Sequence, residues 1–356
     1  MYNRKNIYKG SYVMRKNSKI LLALLLCFVV LFISGCKEKD TRLAVDSKGR
    51  TVVERYGQLQ VIGTNLCNQE GLPVQLRGMS SHGLQWHGKY ANYNVLKWLR
   101  DDWNAQLWRS AMYVTQGGYA ENKGLKFKVY DSIDAAIELG MYVIVDWHIV
   151  RDRDPLLAVD LAVEFFSDIA QKYGHVPNVI YEICNEPNGD EVTWEGNIKP
   201  YAERVIPAIR QYDPDNIIIV GTPTWSQDVD IASNDPLEGD NIMYTLHFYA
   251  GTHGDVIRAK AEYALKNGAP LFVTEWGTTQ STGDGGVFEA ETIEWLKFLQ
   301  KNNISWANWS ICNNGEDSGA LYFNADRAGK GGWTDKDLSN SGRFIRKILR
   351  NETKLK

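Results

Sequence analysis

From about residue 56 onward, short apolar runs rich in Val and Ile alternate with longer stretches whose apolar residues recur every three to four positions. The first pattern belongs to buried strands, the second to amphipathic helices. It predicts strands over 74–79, 105–113, 142–147, 179–183, 217–220, 242–248, 271–274 and 305–310, and helices over 95–102, 127–139, 157–173, 201–212, 255–266, 288–300 and 339–349. The connection after Val220 has no clear helical period. Eight strands, seven of them alternating with helices, fit an α/β fold of one (β/α)8 barrel spanning 56–350. A doubly wound sheet is the alternative, but no Gly-x-Gly-x-x-Gly follows any strand. Residues 58–66 and 72–76 read as an N-terminal hairpin placed to close the barrel floor. No internal repeat, low-complexity block or second domain interrupts the pattern.

The polar residues gather where the strands end. The stretch Val179-Ile180-Tyr181-Glu182-Ile183-Cys184-Asn185-Glu186-Pro187 starts as a buried strand, and Pro187, with no N–H to donate, must end it. Glu186 then sits at the lip, and strand alternation puts Glu182, Cys184 and Glu186 on one face. Other strand ends carry His82 and Trp86, Arg109 and Tyr113, Asp146-Trp147-His148, Trp225, His247-Phe248-Tyr249, Glu275-Trp276-Gly277 and Asn308-Trp309-Ser310. In a barrel all of these face the side where barrel enzymes place their chemistry.

The chain has 356 residues, 12 of them Trp and 18 Tyr, which suggests flat surfaces on which rings can stack. Residues 1–35 hold six basic residues and no acid, so the rest carries 34 basic against 43 acidic side chains. An acidic remainder is a poor candidate for nucleic acid. Residues 20–33 form an uncharged apolar run behind that basic segment, too short for a membrane span and suited to a signal-peptide core starting at Met1 or Met14. It ends Ile33-Ser34-Gly35-Cys36, which resembles a bacterial lipobox with Cys36 as the lipidated residue. The expected organisation is signal peptide 1–35, polar tether 36–55 and barrel domain 56–350, with the protein held outside the cytoplasm by a membrane lipid anchor, on the outer surface if Lys37-Glu38-Lys39-Asp40 acts as a sorting signal. Cys67, Cys184 and Cys312 are an odd number, so at least one is free, and no Cys/His cluster has metal spacing.

Two strand-end carboxylates, Glu186 and Glu275, with aromatic platforms and neutral donors are what glycosidic hydrolysis needs. One protonates the leaving oxygen; the other attacks the anomeric carbon or activates water. No metal or other cofactor is called for.

The segments 76–86, 108–113, 146–148, 181–187, 247–249, 274–277 and 308–310, with Gly331-Gly332-Trp333-Thr334 before the last helix, together resemble glycoside hydrolase family 5, and within it the bacterial endo-β-1,4-glucanases of subfamily 2. The resemblance implies a retaining hydrolase of cellulose or a related β-glucan, with Glu186 as acid/base and Glu275 as nucleophile. It places Arg109, His148, Asn185, His247, Tyr249 and Trp309 around the cleaved sugar, and His82, Trp86, Tyr113 and Trp225 beside flanking sugars. Glu316 matches the family's pattern, but Asn314 stands where many members have Lys, which bears on substrate preference.

Glu182, deep on the inward face, is expected to form a buried ion pair with Arg77, because an unpaired buried carboxylate is so costly. A nucleophilic Glu275 should be surrounded by donors, with Arg109 and Tyr249 as the candidates. A mixed-linkage glucanase, mannanase or xyloglucanase on the same fold, and a non-catalytic glycan-binding lipoprotein, are the alternative functions.

Overall fold

Eight parallel strands close into a barrel in this computed structural model, which describes residues 41–325, 329–353 and 355. The expected signal segment 1–35 and Cys36 lie outside the described residues. The barrel strands are β3 (Arg77–Ser81), β4 (Leu107–Tyr113), β5 (Tyr142–His148), β6 (Val179–Glu182), β7 (Ile218–Val220), β8 (Ile242–Thr245), β10 (Leu271–Gly277) and β11 (Trp306–Ile311), with β11 pairing both β10 and β3 to complete the ring. The strand expected over 242–248 is interrupted. It resumes as β9 (Phe248–Tyr249), which pairs β10 alongside β8, and the gap holds His247. Helices lie between strands as expected. After β7 the chain makes a tight turn over Pro223–Ser226 and one short helix, Val229–Asn234, in place of one long helix.

The barrel interior is apolar below and charged above. Leu107, Tyr142, Ile144, Ile180, Ile219, Met243 and Phe272 fill the lower layers. Each such side chain contributes ~1.5–3 kcal/mol by burial. The floor is sealed from the N-terminal side by Val52, Tyr56, Leu59, Leu66, Val74 and Leu76. This corrects the expected tether: its C-terminal part belongs to the fold. Val52–Tyr56 is a helix started by a capping box between Thr51 and Glu54, and the Ala44 N–H donates to Asn104 Oδ1 at 2.6 Å. The hairpin turns earlier than expected, within the first of its two expected arms: β1 (Gln60–Ile62) pairs with β2 (Asn65–Cys67), and the 72–76 segment, expected as the second arm, adds only a bridge at Pro73.

Two departures from strand alternation shape the upper half. In β10 the ladder shifts between Val273 and Trp276, both of which pack in the outer core. That leaves Thr274 and Glu275, sequence neighbours, both turned toward the charged interior, the re-aiming a bulge performs. In the stretch after β6, Cys184 packs into the outer core and does not share the inward face of Glu182 as expected. The strand ends at Glu182, and the Asn185 and Glu186 N–H groups bond the carbonyls of Trp147 and Ile149 at 3.1 and 3.2 Å.

Candidate active site

Arg109 stands at the centre of the upper barrel, fully buried. Its Nε and Nη2 clasp Glu182 Oε2 and Oε1 at 2.7 and 2.9 Å, Nη1 donates to Glu275 Oε2 at 3.0 Å, and Nη2 donates to Asn185 Oδ1 at 2.6 Å. Nη2 also lies 2.9 Å from Asp146 Oδ2. The expected pair of Glu182 with Arg77 is therefore wrong: the partner is Arg109. Arg77 begins β3 at the floor end, and its Nη1 donates to Asn351 Oδ1 at 3.0 Å. Side chains two residues apart on one strand face differ in height by a layer, and Arg109 is in the layer of Glu182 where Arg77 is not.

Glu275 is held from both sides, by Arg109 on Oε2 and by the Tyr249 hydroxyl on Oε1 at 2.8 Å. Both expected donors are in place. Burial, then the charges of Glu275 and Glu186, push the Tyr249 phenol well above its usual range, so it remains a donor. Gly277 makes room for that ring: a Cβ there would come 2.3 Å from Tyr249 Cδ1.

Glu186 is bonded through Oε1 to His247 Nδ1 at 3.0 Å, and His247 Nε2 meets Thr274 Oγ1 at 2.9 Å with Glu182 Oε1 at 3.8 Å. Burial alone would lower the His247 pKa, but the bonds to Glu182 and Glu186 and the charge of Glu275 outweigh it and raise it to about 9. The imidazolium therefore contributes stability that is complete below the ordinary 6.5 and is lost as the pH climbs through 9. The melting temperature of the wild type should fall over that window, by on the order of 3 kcal/mol in stability, and His247→Gln should flatten the fall. Parallel slopes in thermal melts of the two proteins would refute this.

An aromatic row runs along the other side of Glu275. His148 stacks on Trp309 with centroids 5.2 Å apart, Tyr113 meets His148 at 4.3 Å, Trp86 meets Tyr113 at 5.0 Å, and His82 meets Trp309 at 4.9 Å. Burial pulls His82 and His148 down to about 3, so both are neutral. Trp86 is half exposed.

On the Glu186 side lies a cleft of about 520 Å³ lined by Glu186, His247, Tyr249, Val150, His253 and the turn bearing Trp225. Thr224, Trp225 and Ser226 all have left-handed backbone, φ 57°, 56° and 56°. Such a run costs roughly 1–2 kcal/mol per residue and persists only where its surroundings hold it. Here the Trp225 N–H donates to Pro187 O at 3.0 Å, the Ser226 hydroxyl to Asn185 O at 2.5 Å, and the His247 N–H to Ser226 O at 2.8 Å. The indole is thus tied to the segment that carries Glu186.

Of the residues singled out from the sequence, Glu316 is not brought into this cluster. Its side chain accepts from Ser318 Oγ at 3.3 Å and its N–H donates to Asn314 Oδ1 at 3.1 Å, within its own loop. Three residues of the cluster were given no role from the sequence: Asp146, Thr274 and Ser80, whose hydroxyl accepts from Arg109 Nη1 at 3.3 Å. A role for Asp146 was within reach, since it precedes His148 by two on the same strand face. Glu186, His247 and Glu275 offer ligand atoms within 4.8 Å of one another, the one such group among the described residues. A doubly bonded imidazolium has no lone pair for a cation, so the trio suits proton chemistry better than metal binding.

A family model for cellulase (glycosyl hydrolase family 5) matches residues 67–315. The chain is 53% identical over 305 residues to endoglucanase A of Evansella cellulosilytica, covering 86% of this chain and 62% of that one. It is 47% identical over 344 residues to an endoglucanase of Clostridium saccharobutylicum, covering 96% of this chain and 74% of that one. The chain thus spans under two thirds of the first relative's length and about three quarters of the second's. Its fold matches the catalytic domain of an endoglucanase from Thermobifida fusca with a TM-score of 0.80 at 40% identity, covering 84% of this chain and 99% of that one.

Proposed function

This chain belongs to glycosyl hydrolase family 5, and from that membership we propose that it is an endo-acting hydrolase of β-1,4-glucosidic bonds in cellulose or a related β-glucan, working with retention of configuration. The observation that carries the reading is the pair Glu186 and Glu275, whose nearest carboxylate oxygens lie within 4.8 Å. Retaining enzymes hold their carboxyl groups about 5–5.5 Å apart, whereas inverting ones need roughly 6.5–9.5 Å to admit a water.

In the first step a Glu275 oxygen forms a bond to the anomeric carbon as the glycosidic C–O bond breaks, and the proton of Glu186 goes to the leaving oxygen. In the second, Glu186 takes a proton from water, the water oxygen bonds the anomeric carbon, and the ester to Glu275 breaks. Arg109 and Tyr249 hold the Glu275 carboxyl in place from both sides. His247 steers the Glu186 carboxyl. Trp225, Trp86, Tyr113, His82 and Trp309 offer ring faces to sugars along the cleft, with His148 and Asn185 beside the reacting centre.

Reducing-sugar release from carboxymethyl cellulose, mixed-linkage glucan, xyloglucan and mannan tests the reading. Highest activity on the β-1,4-glucan is expected. Preference for one of the others would reassign the substrate, and no release from any would turn the reading to glycan binding without catalysis.

The lipobox-like Ile33-Ser34-Gly35-Cys36 supports extracytoplasmic anchoring through a lipidated Cys36. One acyl chain holds a protein only weakly, so stable attachment needs the several chains of a lipoprotein N-terminus. Cys36→Ser should move the enzyme from the membrane to the soluble fraction of the source cell without changing its melting temperature. Unchanged membrane retention would sink the anchor.

A further inference from the structure

Asp146 is fully buried beneath the catalytic carboxylates, and the mechanism above does not use it. Its Oδ2 is 2.7 Å from His148 Nδ1 and 2.9 Å from Arg109 Nη2. Around it four side chains form a closed ring. Arg109 Nη2 donates to Asn185 Oδ1 at 2.6 Å, Asn185 Nδ2 reaches His148 Nε2 at 3.4 Å, His148 Nδ1 meets Asp146 Oδ2, and Asp146 returns to Arg109.

The direction of every link follows from one member. A guanidinium can only donate. Asn185 must therefore turn its oxygen to Arg109 and its NH2 outward, where that group also donates to Ile149 O at 3.0 Å. His148 Nε2 then faces a donor and must accept. The ring proton consequently sits on Nδ1, and Nδ1–H needs an acceptor, which in this interior is Asp146 Oδ2.

We infer that Asp146 is a positioning residue: it fixes the tautomer and plane of His148 and, through the ring, the orientation of Asn185 next to Glu186. The side chains it sets are those nearest the reacting sugar in the retaining-hydrolase reading, on which the activity half of the inference rests. Its acceptor oxygen does this work, and its charge does not. Burial pushes the Asp146 carboxyl well above the usual range, with Arg109 opposing and Glu182 and Glu275 adding to the rise. Its Oδ1 has no partner. An amide at this position keeps the accepting oxygen and displaces no bond with its nitrogen.

The test compares Asp146→Asn and Asp146→Ala in the full chain, reading the His148 tautomer by 15N NMR (assigned by difference with His148→Gln) and kcat and KM on a cello-oligosaccharide at a temperature where each protein is folded. Wild type and Asp146→Asn should both show the Nδ1–H tautomer and similar kcat. Asp146→Ala should lose that tautomer and drop in kcat by roughly 10–100-fold, the scale on which a misplacement of about 1 Å costs an enzyme, with KM little moved. A folded Asp146→Ala with wild-type kcat overturns the inference, as does an Nε2–H tautomer in the wild type. The second result is decisive even if the Ala variant does not fold. Should the tautomer behave as stated while the wild type cleaves no glucan, the proposed function fails and the ring stands.

Discussion

Glu275→Gln should abolish turnover of both cello-oligosaccharides and activated aryl cellobiosides, while Glu186→Gln should spare the first step on the aryl substrate. The difference follows from what each carboxyl supplies. Glu275 gives the oxygen that bonds the anomeric carbon, and an amide oxygen cannot replace it whatever the leaving group. Glu186 gives a proton, which a phenolate of low basicity does not need. Loss of a general acid costs roughly 10²–10⁴-fold on a sugar leaving group. The Gln at 275 also sets an NH2 against either Arg109 Nη1 or the Tyr249 hydroxyl, both donors to the present carboxylate, so the loss there should exceed that range. Burst kinetics with the aryl substrate, followed by slow release, would mark Glu186→Gln as blocked in the second step. NMR of the first product from a cello-oligosaccharide supplies the stereochemical check. The β-anomer should appear first, and an α-anomer would remove Glu275 from the nucleophile's role.

The barrel and its rim were legible in the sequence because both depend on local patterns. A β-branched run followed by Pro187 or Gly277 marks a strand end wherever it occurs, and a barrel turns all strand ends to one face. Arg109, Glu186, His247, Tyr249 and Glu275 come together for that reason. What the sequence hid depends on breaks in period and on long-range choice. Glu275 reaches the interior through a ladder shift in β10 that no alternation rule anticipates. Trp225 is aimed by three left-handed residues, none of them glycine, whose cost is met by bonds to Asn185, Pro187 and His247. Two arginines could have paired with Glu182, and choosing between Arg77 and Arg109 requires knowing the height of each in the barrel. The segment before residue 56 looked like tether because its polar residues outnumber its buried apolar ones, Ala44 and Val52.

Glu182→Gln should cost about 3–5 kcal/mol of stability, the usual result of removing one member of a buried ion pair. Every lone pair of Glu182 in use faces a donor: Arg109 Nε on Oε2, and Arg109 Nη2 and the Thr274 hydroxyl on Oε1 at 2.9 and 2.7 Å. A Gln amide must turn its NH2 toward one of these donors and removes the carboxylate that Arg109 clasps with two bonds, leaving Glu275 to balance its charge in a dry site. Acid should act on the wild type in the same way. Burial opposes ionisation of Glu182, but Arg109 and His247 prevail and lower its pKa to about 2 from 4.5. The stability this carboxylate contributes is complete above 4.5 and is lost as the pH falls through 2. Thermal melts between those values should show a steeper acid loss in the wild type than in Glu182→Gln. Because Arg109 also donates to Glu275 and Asn185, the variant should turn over slowly even where it is folded. A Glu182→Gln protein that melts like the wild type would mean that Glu275 alone suffices to balance Arg109, and if that protein were also inactive, Glu182 would have to be placed among the reacting groups.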